Sequence, residues 1–238
     1  MSPISGSGPS SSVIQTNIGQ APSGATQVIQ KPISEQVESH IFAKVLPRLV
    51  SIDDFPDLAG LLAMLKRRKL KLASMHGDDP EEYDVILCEG ANAMIDRKGT
   101  VYMGVALLRG YANQHAVLVG ALAHEIGHRP KRWDEPRYRE ARELTQEEIY
   151  GICREEETRA DIFCGKGLAE LGFDCEPIIE FLKHVQTRPH PEYFPAEVRA
   201  DVIRESHAGR TYSAQQRAKL FPGFNRHHAD PKGELGRG

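Results

Sequence analysis

The chain has 238 residues, of which 40% are hydrophobic and 26% charged, and its formal net charge at pH 7 is −3. These values are typical of a soluble globular protein with a substantial core. They give no electrostatic basis for nucleic acid or an anionic membrane as the main partner. The sequence contains no apolar run long enough for a transmembrane helix and no Sec-type signal peptide, so we expect a cytoplasmic protein.

Composition divides the chain into three parts. The first 30 residues contain no charged and no aromatic side chain and are rich in Ser, Gly and Pro, so residues 1–31 are predicted to be a disordered tail. Serine-rich starts of this kind resemble those of type III secreted effectors, which makes export by a non-Sec route the alternative to a passive tail. Residues 32–222 form the predicted folded domain, and 223–238 a loose C-terminal tail.

The first half of the domain combines helices with short strands. Apolar spacing predicts one helix within 33–50, ended or kinked at Pro47, and a second at about 56–72. Three apolar runs then predict strands at 84–88, 93–95 and 100–103. Because a turn at 97–99 joins the last two, we expect a small antiparallel sheet.

The second half is predicted to be helical. Asn113 is a plausible N-cap for a helix at about 113–128, and a short helix is expected to start near Pro136. Thr145 and Glu148 have the spacing of a capping box, which predicts a long helix from 146 to 171. Further helices are expected at 176–186, 195–206 and 213–220. The fold class is therefore α+β and mainly helical.

The four cysteines form no CxxC pair, so we interpret them as reduced and mostly buried rather than as metal ligands. They are Cys88, Cys153, Cys164 and Cys175. The adjacent pair His227-His228 near the C-terminus is interpreted as part of a solvated tail, because neighbouring loop residues seldom converge on one ion.

Residues 124–128 read His-Glu-Ile-Gly-His. On an α-helix His124 and His128, at positions i and i+4, face the same way and can offer two imidazole nitrogens to one ion. Glu125 lies about 100° around the helix, beside such an ion, which suits a general base acting on a water molecule. This motif predicts a metal-dependent hydrolase site.

A catalytic zinc usually takes three protein ligands, and the third is sought downstream. Glu157 and Asp161 are again at i and i+4 on a predicted helix. One carboxylate can bind the ion while the other orients a ligand imidazole by a hydrogen bond. The alternative for the acidic run 155–157 is a solvated helix face.

Several of these features together resemble the HtpX-like and CAAX-prenyl endopeptidase family of gluzincin zinc metallopeptidases. The features are the runs 92–95 and 100–104, Leu107-Leu108, 123–128 and the Glu157-x-x-Ala160-Asp161 pattern. The resemblance covers about residues 85–200. It implies a zincin-like fold, one Zn²⁺ held by His124, His128 and Glu157, Glu125 as general base and Asp161 supporting a ligand. It also implies that strand 100–104 is a sheet edge with which an extended protein or peptide substrate pairs.

Two features depart from the family pattern. Membrane members carry transmembrane helices, whereas this chain has none, so a prenylated or membrane substrate is not implied. The family also has a His-Pro motif followed by an arginine that helps to stabilise the oxyanion. His190-Pro191 is present here, which implies His190 as that catalytic donor, but Arg199 lies farther on than the family spacing. Tyr193 is a second candidate.

Two other functions fit the motif. One is a regulatory protease of the ImmA/IrrE type, which cleaves a transcriptional repressor; the residues before the motif helix favour the first family. The other is a zinc-stabilised interaction module or secreted effector without turnover. The intact Glu125 disfavours this second alternative, because loss of the base usually marks an inactive member.

Overall fold

The computed structural model describes residues 30–43 and 45–209. The tails predicted at the two ends lie largely outside this part of the chain. The helix predicted at 213–220 and the His227-His228 pair also fall outside it.

Within the described residues the protein is mainly helical with one small sheet, which confirms the α+β prediction. The helices are α1 (Ile33–Ile41), α2 (Ala59–His76), α3 (Val105–Gly110), α4 (His115–Gly127), α5 (Pro136–Arg139), α6 (Gln146–Glu170), α7 (Glu176–Val185) and α8 (Ala196–His207). The strands are β1 (Asp84–Cys88), β2 (Ala93–Ile95) and β3 (Thr100–Gly104). None of the helices seen in these two ranges is long and apolar enough to cross a membrane.

The sheet is mixed, so the prediction of an antiparallel sheet is only partly right. β2 and β3 form the expected antiparallel hairpin, with Ala93 opposite Met103. β1 pairs in parallel with β3, Asp84 lying opposite Thr100, and the strand order is β1-β3-β2. β3 runs in the same direction as β1 because the chain reverses twice between them. Its place in the middle depends on tertiary packing, which the strand patterns do not reveal.

The central position of β3 also corrects the predicted substrate edge. The edges of the sheet are β1 and β2, and 100–104 is not one of them. Part of each edge is covered by the chain after α1, since Ala43 N–H donates to the Ile95 carbonyl (3.1 Å) and Val50 N–H donates to the Leu87 carbonyl (3.3 Å).

The same segment explains why the first helix is shorter than predicted. Phe42 is extended (φ −102°, ψ 148°), so α1 ends at Ile41, well before Pro47. The chain that follows makes strand-like hydrogen bonds to the sheet instead of continuing the helix. Helical apolar spacing in 33–50 is thus overridden by tertiary pairing.

Helix α6 begins where the sequence predicts. The Thr145 side chain accepts a hydrogen bond from Glu148 N–H (3.3 Å), and the Glu148 carboxylate accepts one from Thr145 N–H (2.8 Å). These reciprocal bonds satisfy two of the unpaired donors at the helix start. The helix then runs for 25 residues, long enough to carry Glu157 and Asp161 across the middle of the domain.

Helix α4 lies at the centre of the core and packs against α2, α6, α7 and β2. All residues from Val117 to Ala123 are buried. The predicted N-cap Asn113 is wrong by one position, because Gln114 is the residue that precedes α4. All four cysteines are buried and free, as predicted.

Candidate metal centre

The two motif histidines stand at the C-terminal end of α4. His128 is the residue after the helix, yet it keeps a right-handed helical conformation (φ −64°, ψ −20°). The i, i+4 relationship with His124 is therefore preserved, and the two ring centroids are 5.0 Å apart. His128 is buried, and His124 lies at the margin of a cleft.

A glycine in the motif brings α6 close to these histidines. A Cβ on Gly127 would lie 2.8 Å from the Cα of Ala160 and 3.1 Å from the Cβ of Phe163. A side chain at this position would push α6 away from α4. The short distance between the helices allows a carboxylate on α6 to reach both imidazoles.

His124, His128 and Glu157 form a three-residue group that could hold a metal ion, with ligand atoms all within 4.8 Å of one another. Nε2 of His124 lies 3.3 Å from Oε2 of Glu157, and Nε2 of His128 lies 3.6 Å from Oε1 of the same glutamate. Oε2 of Glu157 is buried without a hydrogen-bond partner among the described residues. A buried carboxylate oxygen in this situation suits a cation.

The charges at this centre also suit a cation. Burial raises the pKa of Glu157, but His124, His128 and Arg199 outweigh it and hold the pKa below its ordinary value. Burial lowers the pKa of His124, whereas Asp161 and Glu157 raise it to about 10. The two carboxylates thus favour the protonated form of the His124 imidazole in the metal-free chain, and a bound ion would compete with that proton.

Asp161 contacts the first histidine of the motif. Its Oδ1 lies 3.1 Å from His124 Nδ1. Arg199, from α8, donates two hydrogen bonds to the same carboxylate, at 2.8 and 2.9 Å. Both charged residues are buried. The sequence offered Arg199 only as a displaced family arginine, and its contact with Asp161 was not predicted.

Glu156 was missed altogether. The acidic run 155–157 suggested a solvated alternative, but Glu156 is only 1% exposed. It forms ion pairs with Arg132 and Arg159. One signal was available: the buried residues Cys153, Ala160 and Phe163 repeat on the same helical face, which places position 156 in the interior.

Glu125 faces a cleft beside the histidines. The cleft has a volume of about 250 Å³. Its polar end contains His124, Glu125, Asp161 and Arg199. Its apolar wall includes Met94, Leu107, Ile178, Phe181, Leu182 and Val185. Burial raises the pKa of Glu125, while His124 and His128 oppose the shift. A carboxylate whose pKa is raised thus lies next to an apolar pocket.

A free strand edge borders this cleft. The backbone groups of Asn92 and Asp96 hydrogen-bond to β3. Because hydrogen-bonded and non-hydrogen-bonded residues alternate in an antiparallel pair, the backbone N–H and C=O of Ala93 point away from β3. In the described parts of the chain the N–H and C=O of Ala93 have no hydrogen-bond partner, and Ala93 lines the cleft. The edge next to the site is therefore β2.

The two candidate oxyanion donors lie in the segment between α7 and α8. His190 is exposed, 3.8 Å from Glu192 and with its ring 5.2 Å from that of Tyr193, and the structure gives it no contact with the three ligand residues. Tyr193 is partly buried, and the Arg199 guanidinium carbon lies over its ring, 5.4 Å from the ring centroid. The negative charge of Glu157 and burial raise the pKa of Tyr193, so its hydroxyl keeps its proton.

The chain matches no protein-family model and no curated protein in the comparisons with known proteins. The resemblance noted in the sequence therefore depends on the motif residues and their spacing alone.

Proposed function

We propose that the protein is a zinc-dependent endopeptidase. One observation carries this proposal: His124, His128 and Glu157 converge within 4.8 Å, and Glu125 faces the adjoining cleft. Two histidines and one glutamate are a common ligand set for catalytic zinc, which keeps a fourth position open. When bound there, zinc would polarise a carbonyl group and lower the pKa of a water molecule.

The protein's own residues would handle the protons. Glu125 accepts a proton from the attacking water and passes it to the nitrogen of the leaving amine. Its raised pKa makes the carboxylate a stronger base for the first of these transfers. Asp161 keeps the His124 ring oriented during the reaction.

The cleft supports an extended peptide as substrate. The free backbone groups of Ala93 would pair with the substrate backbone as an added strand. The wall formed by Met94, Phe181, Leu182 and Val185 would receive a large apolar side chain next to the scissile bond. The substrate class proposed is therefore a protein or peptide with an apolar residue at the cleavage site.

We assign the oxyanion-stabilising role to Tyr193, with His190 as the alternative. A donor must aim at the carbonyl oxygen in a site from which water is excluded. The Tyr193 hydroxyl stays protonated, and its ring lies 5.4 Å from the Arg199 guanidinium, which itself lies 3.3 Å from Oε2 of Glu157. The exposed position of His190 fits the role less well.

The proposal is tested by metal analysis combined with a cleavage assay. We expect one zinc per chain, hydrolysis of a casein or peptide library, loss of activity with a chelator and recovery on adding Zn²⁺. Glu157→Ala should lose most of its zinc, whereas Glu147→Ala, in the first turn of the same helix, should keep it. Zinc-loaded protein that cleaves no peptide would support a binding module instead, and stoichiometric zinc in Glu157→Ala would remove Glu157 from the ligand set.

A further inference from the structure

The acidic residue just before Glu157 faces the second histidine of the motif. Oε1 of Glu156 lies 3.7 Å from Nδ1 of His128, on the side of the ring opposite Glu157. Nδ1 of His128 is buried and has no hydrogen-bond partner in the ranges that the structure describes. Two carboxylates form ion pairs with His128: Glu156 faces Nδ1 and Glu157 faces Nε2.

Glu156 is itself held by arginine. Arg132 forms an ion pair with Oε1 and also donates to the carbonyls of Gly127 (3.3 Å) and His128 (3.2 Å). Arg159 lies 3.6 Å from Oε2. Two guanidinium groups therefore flank the Glu156 carboxylate.

The same three-part arrangement therefore occurs twice. In one copy Arg199 holds Asp161 and Asp161 faces Nδ1 of His124. In the other, Arg132 holds Glu156 and Glu156 faces Nδ1 of His128. Both carboxylates come from α6 and both arginines from outside it. A buried ion pair adds little to stability compared with apolar packing, so a second pair at the same centre points to a role in orienting a ligand.

We infer that Glu156 is a positioning residue: it accepts a hydrogen bond from Nδ1–H of His128 and fixes the tautomer whose Nε2 is free to bind the metal. Arg132 keeps the Glu156 carboxylate in place. The inference depends on the proposed metal site. The distance of 3.7 Å is longer than a hydrogen bond, so this bond requires the imidazole to rotate slightly towards Glu156.

The test compares Glu156→Gln with Glu155→Gln, measuring Zn²⁺ affinity by competition with a chromophoric chelator. Gln has the shape of Glu without its charge. Glu155 is the matched control, because it lies on the same helix and pairs with Arg159 but has no contact with His128. Thermal unfolding of the metal-free proteins separates an effect on zinc from an effect on the fold.

We expect Glu156→Gln to weaken Zn²⁺ binding about 10-fold or more while Glu155→Gln stays within about 2-fold of the wild type. Equal affinities for Glu156→Gln and the wild type would overturn the inference and leave the metal site standing. A lower melting temperature of Glu156→Gln with unchanged Zn²⁺ affinity would also overturn the inference, because it would show a structural role only. A wild type that binds no zinc would remove the metal site itself.

A second measurement does not depend on a variant that folds. In zinc-loaded wild-type protein, ¹⁵N–¹H spectra of the imidazoles should show a hydrogen-bonded proton on Nδ1 of His128. A His128 ring that binds zinc through Nδ1, or whose Nδ1 carries no protected proton, contradicts the inference.

Discussion

Arg199 and Asp161 form a two-point ion pair in the interior, with Nε–Oδ2 and Nη2–Oδ1 distances of 2.8 and 2.9 Å. The guanidinium also lies 3.3 Å from Oε2 of Glu157. One cation from α8 thus faces both carboxylates that the sequence assigns to the metal centre. Its removal would leave the buried carboxylates of Asp161 and Glu157 with His124 as the positive group between them.

Arg199→Ala should destabilise the metal-free protein by about 3–5 kcal/mol, because breaking a buried pair leaves an uncompensated charge. Urea unfolding measures the change. Arg204→Ala is the control, since Arg204 lies on the same helix and pairs with Glu176 at the surface. Its loss should cost at most about 1 kcal/mol. If the two variants lost the same free energy of unfolding, the Arg199–Asp161 pair would stabilise the protein no more than a surface ion pair does.

Glu125→Gln should retain zinc but lower peptide hydrolysis at least about 100-fold, because the amide cannot accept the proton. Zinc content and kcat are measured on the same preparation. A variant that cleaves at the wild-type rate would exclude Glu125 as the base, and a variant that loses its zinc would place Glu125 among the groups that hold the ion.

Tyr193→Phe should lower kcat about 100-fold with little change in KM, as expected when a donor to the oxyanion is lost. His190→Ala should change kcat less than about 3-fold, because the imidazole is exposed. The opposite ranking of the two variants would assign the oxyanion to His190. Steady-state kinetics on one peptide substrate decide between them.

Val185→Asp should reduce kcat/KM about 10-fold or more for peptides with a large apolar residue at the cleavage site. Val185 lies at the rim of the apolar wall and is 54% exposed, so a charge there alters the cleft without disturbing the core. Val45→Asp, at another exposed apolar residue that does not line the cleft, is the control. Unchanged selectivity in Val185→Asp would place the apolar substrate residue elsewhere.

The capping box of α6 should make a stability contribution that depends on pH. The backbone N–H of Thr145 and the side chain of Arg142 lower the pKa of Glu148 from 4.5 to about 2. Since the folded-state pKa is depressed, the contribution is complete above pH 4.5 and is lost as the pH falls towards 2. Glu148→Ala should therefore cost about 1 kcal/mol at pH 7 and progressively less below pH 4.5. Urea unfolding at pH 7 and pH 3 tests this, and an equal cost at both pH values would contradict it.

Local patterns predicted the parts of the fold that depend on neighbouring residues. The capping box fixed the start of α6, and the hairpin turn at 97–99 placed β2 beside β3. The i, i+4 spacings brought His124 to His128 and Glu157 to Asp161 on their helices. Each of these relationships lies within one element or between two adjacent ones.

Long-range contacts account for what the sequence did not predict. The parallel pairing of β1 with β3 and the early end of α1 at Ile41 depend on segments that meet only after folding. Burial of Glu156 depends on Arg132, which comes from outside α6, as well as on Arg159 three residues along the same helix. The contact with Arg132 spans 24 residues of sequence, and no local pattern predicts it.

The Asp161–Arg199 pair also sets a limit on how far the domain can be shortened. Arg199 lies in the first turns of α8, which also packs along α6. A chain truncated before Ala196 would keep all three ligand residues and the whole motif helix, yet it would bury Asp161 and Glu157 without their arginine. Such a fragment would also lose the packing of α8 on α6, so it is expected not to fold into a compact unit. The smallest autonomous unit around this centre therefore extends through α8.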